Sequence, residues 1–183
     1  MKIVQTLLAF ALAGAMAASA HAADTTYNMG TLSATPYINT ATVTAGSVFT
    51  LPPTGATTYN FTDTYNFIVA GLPTIAGTAV TVNLDLGSLG FHISNLKLDL
   101  FDASNVWLDG DIVSGASDAS VSVDMPLTAG NYYFKVRGLA DGVATNQGIY
   151  TFSALAVPEA ETYAMMLAGL GLVGFTVSRR RSI

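Results

Sequence analysis

The sequence predicts an all-β fold, a single β-sandwich or jelly-roll-like domain of seven to nine short antiparallel strands, on three observations. Apolar and polar residues alternate with period two through the middle of the chain, the pattern of strands with one buried and one wet face. Clusters of Gly, Pro, Asn and Asp punctuate these runs at residues 71–73, 87–90, 109–110, 128–131 and 141–142, which read as turns. No apolar stripe of 3.6-residue period and useful length lies between residues 23 and 157. A sheet with one apolar face must bury it against another layer, and a second sheet is the partner this composition offers.

Each strand is justified by its own alternation. Tyr59, Phe61, Asp63, Tyr65 and Phe67 share a face, which sets a carboxylate among aromatic rings. Burying an unpaired carboxylate costs several kcal/mol, so Asp63 is expected either to accept backbone N–H groups from a neighbouring loop and pin the sandwich edge, or to stand exposed at a strand end. Val80, Val82, Leu84 and Leu86 alternate with Thr81, Asn83 and Asp85, the valines and leucines forming the expected core face. Leu96, Leu98 and Leu100 alternate with Lys97 and Asp99. Val121, Val123 and Met125 oppose Ser120, Ser122 and Asp124. Tyr132, Phe134 and Val136 oppose Tyr133, Lys135 and Arg137, and Tyr150, Phe152 and Ala154 oppose Thr151 and Ser153.

Both ends of the chain read as addresses, dividing it into 1–22, 23–157 and 158–183. Met1 and Lys2 form a small basic start, residues 3–17 are apolar except for Gln5 and Thr6, and Ala20-His21-Ala22 offers a small-x-small cut before Ala23. That is the pattern of a helical signal peptide, handled by the Sec machinery and signal peptidase. At the other end, residues 163–177 form an apolar run closed by Arg179, Arg180 and Arg181. As a helix it would span roughly 22 Å against about 30 Å of hydrocarbon, a short membrane anchor with its arginines in the cytoplasm and the domain outside.

Two resemblances follow from particular residues. Val157-Pro158-Glu159, the apolar run and the three arginines resemble the PEP-CTERM sorting signal, with Ala160 where the family usually has a second proline. The resemblance implies processing near Pro158 and Glu159 by an exosortase, a membrane cysteine transpeptidase of Gram-negative bacteria that make extracellular polysaccharide. It also implies transient residence in the inner membrane, then release to the cell surface or extracellular matrix. Phe61-Thr-Asp63-Thr-Tyr65, with residues 93–104 and 127–138, resembles the FxDxF family of PEP-CTERM proteins and, more distantly, bacterial pre-peptidase C-terminal β-sandwich modules. Tyr65 stands at the last Phe position of that motif. No catalytic activity comes with the resemblance, and Phe61, Asp63 and Tyr65 are expected to be structural.

Composition narrows the chemistry. Between residues 23 and 157 stand ten aspartates and three bases, a net charge near −7, which repels phosphate backbones and disfavours nucleic acid as a partner. Cysteine is absent, and His92 is the one histidine of that segment, so triads and zinc sites lack raw material and no enzyme is expected. Asp99, Asp102, Asp109, Asp111 and Asp118 are weak calcium candidates, since hard oxygen ligands suit that ion, although aspartates of this kind also bond their own turns. Trp107 and Tyr133 are candidate exposed rings for stacking on sugars. The expectation is a non-catalytic exported surface or matrix protein, associated with exopolysaccharide or biofilm. The alternative is a carbohydrate-binding module using those rings.

Overall fold

The computed structural model describes residues 19–21, 24–50, 58–71, 73–85, 89–113, 119–157 and 166–173. The strands are β1 (Ser19–His21), β2 (Asp24–Thr31), β3 (Tyr37–Thr44), β4 (Phe49–Thr50), β5 (Thr58–Tyr59), β6 (Phe61–Val69) and β7 (Thr74–Val82). They continue with β8 (Leu84–Asp85), β9 (Gly90–Phe91), β10 (Ile93–Asp102), β11 (Trp107–Ile112), β12 (Ser120–Pro126), β13 (Gly130–Ala140) and β14 (Gln147–Val157). Nine of these have six residues or more; β1, β4, β5, β8 and β9 are shorter additions.

Two sheets carry the architecture. The larger runs β1-β3-β14-β7-β12, with β9 beside β14 and β8 beside β9; the second runs β11-β10-β13-β6-β2. Their apolar faces meet, as a sandwich requires. Phe61, Tyr65, Leu98, Leu100, Phe134 and Val136 of the five-stranded sheet bury against Val43, Ile75, Val121, Tyr150 and Phe152 of the other. Tyr65 stacks on Phe152 at 4.1 Å and Phe67 on Phe134 at 5.0 Å between centroids. Such ring pairs add about 0.5–1.5 kcal/mol each beyond the area they bury.

Several expectations need correction. The pairing is not wholly antiparallel, because β2 runs parallel to β6 from Asp24↔Thr62 to Asn28↔Asn66, and β1 runs parallel to β3. Of the expected signal-peptide segment the structure describes Ser19–His21, which form a strand, and the rest of 1–22, where the helix was expected, lies outside the described residues. At the C-terminus a helix covers 166–173, and among the described residues no helix is long and apolar enough to cross a membrane. Asp109 and Gly110 were expected in a turn; they lie inside β11, and the turn falls at residues 103–104.

The phase of β7 is inverted as well. Its inward residues are Ile75, Gly77, Ala79 and Thr81, while Val80 and Val82 face out. The cause is Phe134 on the opposite sheet, since a Cβ on Gly77 would lie 2.7 Å from its Cζ. Large rings from one sheet demand small residues across the gap, and Thr81 is admitted because its Oγ1 accepts the Ala119 N–H at 2.9 Å.

Candidate binding face

Strand β6 points Phe61, Asp63, Tyr65 and Phe67 inward and Thr62, Thr64 and Asn66 outward, so its two sides belong to different sites. Inward, Asp63 is fully buried. Its Oδ1 accepts the Thr25 N–H at 3.0 Å and its Oδ2 accepts the Tyr150 hydroxyl. The Tyr150 and Tyr65 hydroxyls are 2.7 Å apart, and Asn39 Nδ2 donates to Tyr65 Oη at 3.0 Å. A carboxylate only accepts, so the protons run in one direction, from Asn39 to Tyr65 to Tyr150 to Asp63. The chain ties β6 to β14 and β3 of the opposite sheet. Burial raises the Tyr65 and Tyr150 pKa values above the usual phenol value, with the nearby Asp63 charge adding to it. The expected donor loop is thus a strand, β2, and Asp63 sits between the sheets rather than at an edge.

Outward, strand register arranges three rows across all five strands. The first is Trp107, Phe101, Tyr133, Asn66 and Asn28; the second is Gly110, Asp99, Lys135, Thr64 and Thr26; the third is Ile112, Lys97, Arg137, Thr62 and Asp24. Phe101 and Tyr133 stack at 5.1 Å with planes 9° apart. The Lys135 ammonium lies 5.2 Å from the Phe101 centroid and 5.3 Å from that of Tyr133. The Tyr133 hydroxyl donates to Asn105 Oδ1 at 2.7 Å, which fixes the ring.

Asp99, also buried, takes Trp107 Nε1 at 2.9 Å, Arg137 Nη1 at 2.5 Å and Lys97 Nζ at 3.2 Å. Gly110 makes this possible: a Cβ there would lie 2.5 Å from Asp99 Oδ1 and 3.2 Å from Trp107 Nε1. The indole therefore lies across the glycine while the residue stays 55% exposed. Burial first, then Arg137, lowers the Lys135 pKa below the usual lysine value, opposed by Asp99. Beside the first row a depression of about 380 Å³ opens between Asn28, Asn66, Ile68, Asn131 and Tyr133.

The sequence singled out Trp107 and Tyr133, and the register brings them into one row with Phe101 between them. It missed Phe101, Lys97, Lys135 and Arg137 as members of the same face. The signal was present: Lys97, Lys135 and Arg137 are all the bases between residues 23 and 157. The calcium candidates among the described residues are not brought together. Asp102 Oδ1 accepts the N–H groups of Ser104 and Val106, each at 2.8 Å, and Asp109 Oδ1 accepts that of Gly110. Asp111 accepts the Ile112 and Ser122 N–H groups, and Asp99 faces the cations. Among the described residues no group of three or more acidic or histidine side chains could hold a metal ion. Asp118, Pro158, Glu159, Arg179, Arg180 and Arg181 lie outside the described residues.

The fold and this face define a β-sandwich with a polar and aromatic outer sheet. At its C-terminal end, residues 156–181 match the PEP-CTERM protein-sorting motif. That motif implies export, surface sorting in Gram-negative bacteria and processing by an exosortase. No curated protein matches the sequence. Among solved structures, the pre-peptidase C-terminal domain of a collagenase from Bacillus anthracis is similar at 16% identity and TM-score 0.41, over 70% of this chain and 93% of that one. The C-terminal CBM6 of LamC, a marine laminarinase from Zobellia galactanivorans, is similar at 13% identity and TM-score 0.33, over 64% of this chain and 99% of that one.

Proposed function

We propose that the chain is a non-catalytic surface protein, exported by the Sec machinery, trimmed by signal peptidase, and held in the inner membrane by its C-terminal segment until an exosortase releases it. Its sandwich then stays with exopolysaccharide in the matrix around a Gram-negative cell. The observation that carries this reading is the sorting motif over residues 156–181. The absence of catalysis is supported by the surroundings of His92. Ser94 Oγ donates to Asp141 Oδ2 at 2.8 Å, and His92 Nδ1 pairs with the other oxygen of that carboxylate. The carboxylate thus stands between hydroxyl and imidazole, so the ring has no path to the serine proton that a nucleophilic triad requires. Mass spectrometry of the cell-surface form tests the proposal: it should begin at Ala23 and end near Pro158 and Glu159. Recovery of the intact chain from the cytosol overturns it.

A second reading, a carbohydrate-binding module, is favoured by the exposed Trp107 in one row with the Phe101–Tyr133 stack. Glycan-array binding that is lost in Trp107→Ala supports it, and a blank array removes it.

A further inference from the structure

We propose that the outward face of β10, β11 and β13 binds an acidic polysaccharide, a chain of uronate-type sugars, with carboxylates on Lys135 and its neighbours and pyranose rings against Trp107 and Tyr133. This rests on the carbohydrate-binding reading above and specifies its ligand.

Charge distribution is the first argument. The segment carries ten aspartates and three bases, and register puts all three bases at adjoining positions of one face. The outward residues of the larger sheet show the contrast: Thr40, Thr42, Thr151, Ser153, Val80 and Ser122 include no cation. Inside the basic cluster the one carboxylate among the described residues is Asp99, which offsets a single charge of three. Asp24 ends the third row two strands away from Arg137, and its Oδ1 is taken by the Thr62 N–H at 2.8 Å. Asp102 is tied to its own turn. Other aspartates act through water, where screening over about 8 Å at physiological salt reduces their repulsion.

Chemistry of the neighbours is the second argument. Lys135 sits against two rings and, among the described residues, has no carboxylate within ion-pair distance, unlike Lys97 and Arg137. A partly desolvated ammonium over aromatic faces gains from an incoming carboxylate more than a fully hydrated one does. The exposed indole lies across Gly110, a geometry suited to an apolar sugar face. Asn66, Asn28, Thr64 and Thr26 continue the rows with amides and hydroxyls, which match sugar hydroxyls. Duplex nucleic acid, with one charge per roughly 1.7 Å, needs many more cations than this face offers.

Affinity electrophoresis of the full chain in mild detergent tests the proposal, with polygalacturonate or neutral dextran cast in the gel. Polygalacturonate should retard the chain, and added salt should relieve the retardation. Lys135→Gln and Trp107→Ala should each weaken it about tenfold with the circular-dichroism spectrum unchanged, and Thr42→Ala on the opposite sheet should not. Equal retardation by both polymers with Lys135→Gln unaffected overturns the acidic ligand and leaves a neutral-glycan module. No retardation by either overturns the ligand and the module together. Dimerisation of the chain on its own, abolished by Lys135→Gln, replaces the polysaccharide with a second copy of this protein.

Discussion

The five-stranded sheet holds a buried carboxylate on each of its faces, and the two are satisfied by different chemistry. Asp63, facing inward, is held by a backbone N–H and a phenol, both neutral and both fixed by the fold. Asp99, facing outward, is held by two cations and an indole N–H; Lys97 and Trp107 reach the surface, while Arg137 is buried with the carboxylate. Neutral donors inside leave no charge to exchange with solvent or ligand. Charged donors outside leave Lys97 and Lys135 partly exposed around a buried anchor, and that difference separates a clamp from a candidate binding face.

Removing each carboxylate breaks this contrast most directly. Asp63→Ala removes the shared acceptor of the Tyr150 hydroxyl and the Thr25 N–H and leaves a gap between the sheets, at about 3 kcal/mol, or a fall of about 10 °C in Tm. Asp99→Ala lets the partly exposed Lys97 and Trp107 turn to water but leaves the buried Arg137 guanidinium without its carboxylate, and should cost more, about 3–5 kcal/mol. Thermal melts followed by circular dichroism decide, and equal shifts would erase the distinction between the faces.

The inner clamp should also fail at high pH. Burial raises both Tyr65 and Tyr150 above the usual phenol value of 10.0, so the folded state keeps protons that the unfolded state releases. Their contribution is complete below pH 10 and falls as pH rises further, by about 1.4 kcal/mol per pH unit for each phenol. Unfolding should therefore set in above pH 10, and Tyr65→Phe should lose about half of that slope. Urea melts between pH 8 and 11 measure it, and a slope unchanged in Tyr65→Phe would show that this phenol ionises in place.

The two faces were not equally legible. Alternation in β10, β12, β13 and β14 identified the core residues because each inward set holds two or more large apolar residues in succession, such as Leu98 and Leu100 or Tyr150 and Phe152. In β7 the same rule chose the wrong side, since the space left by Phe134 admits only glycine at position 77 and hydrophobicity carries no record of a partner's volume. Gly110 misled for a related reason: beside an aspartate it reads as a turn, whereas its role is to leave room for Trp107 and Asp99 within a strand. The binding rows were invisible because they join residues 24, 62, 97 and 137, and only strand order brings those together.

Gly110→Ala tests the outer face alone. The new Cβ must displace Asp99 Oδ1 or Trp107 Nε1, at 2.5 Å and 3.2 Å, and the overpacking costs about 1–2 kcal/mol. Trp107 is the only tryptophan of the chain, so its fluorescence reports the change directly. Emission should shift to the red as the indole leaves Asp99. An unchanged spectrum would mean that the glycine does not set the indole's position.

Lys135→Gln should have the smallest effect on stability, below about 0.5 kcal/mol. Its folded pKa lies below the unfolded value, mainly through burial and Arg137. The fold therefore disfavours the ammonium at neutral pH, and the penalty disappears only as pH rises toward the unfolded lysine value of 10.5. Removing the charge should leave Tm unchanged or slightly raised at pH 7 and do less at pH 10. On the acidic-polysaccharide proposal, this cation beside two rings serves an incoming carboxylate rather than the fold. A Tm lowered by several degrees in Lys135→Gln would instead make Lys135 part of the scaffold and return the outer face to the same category as the inner clamp.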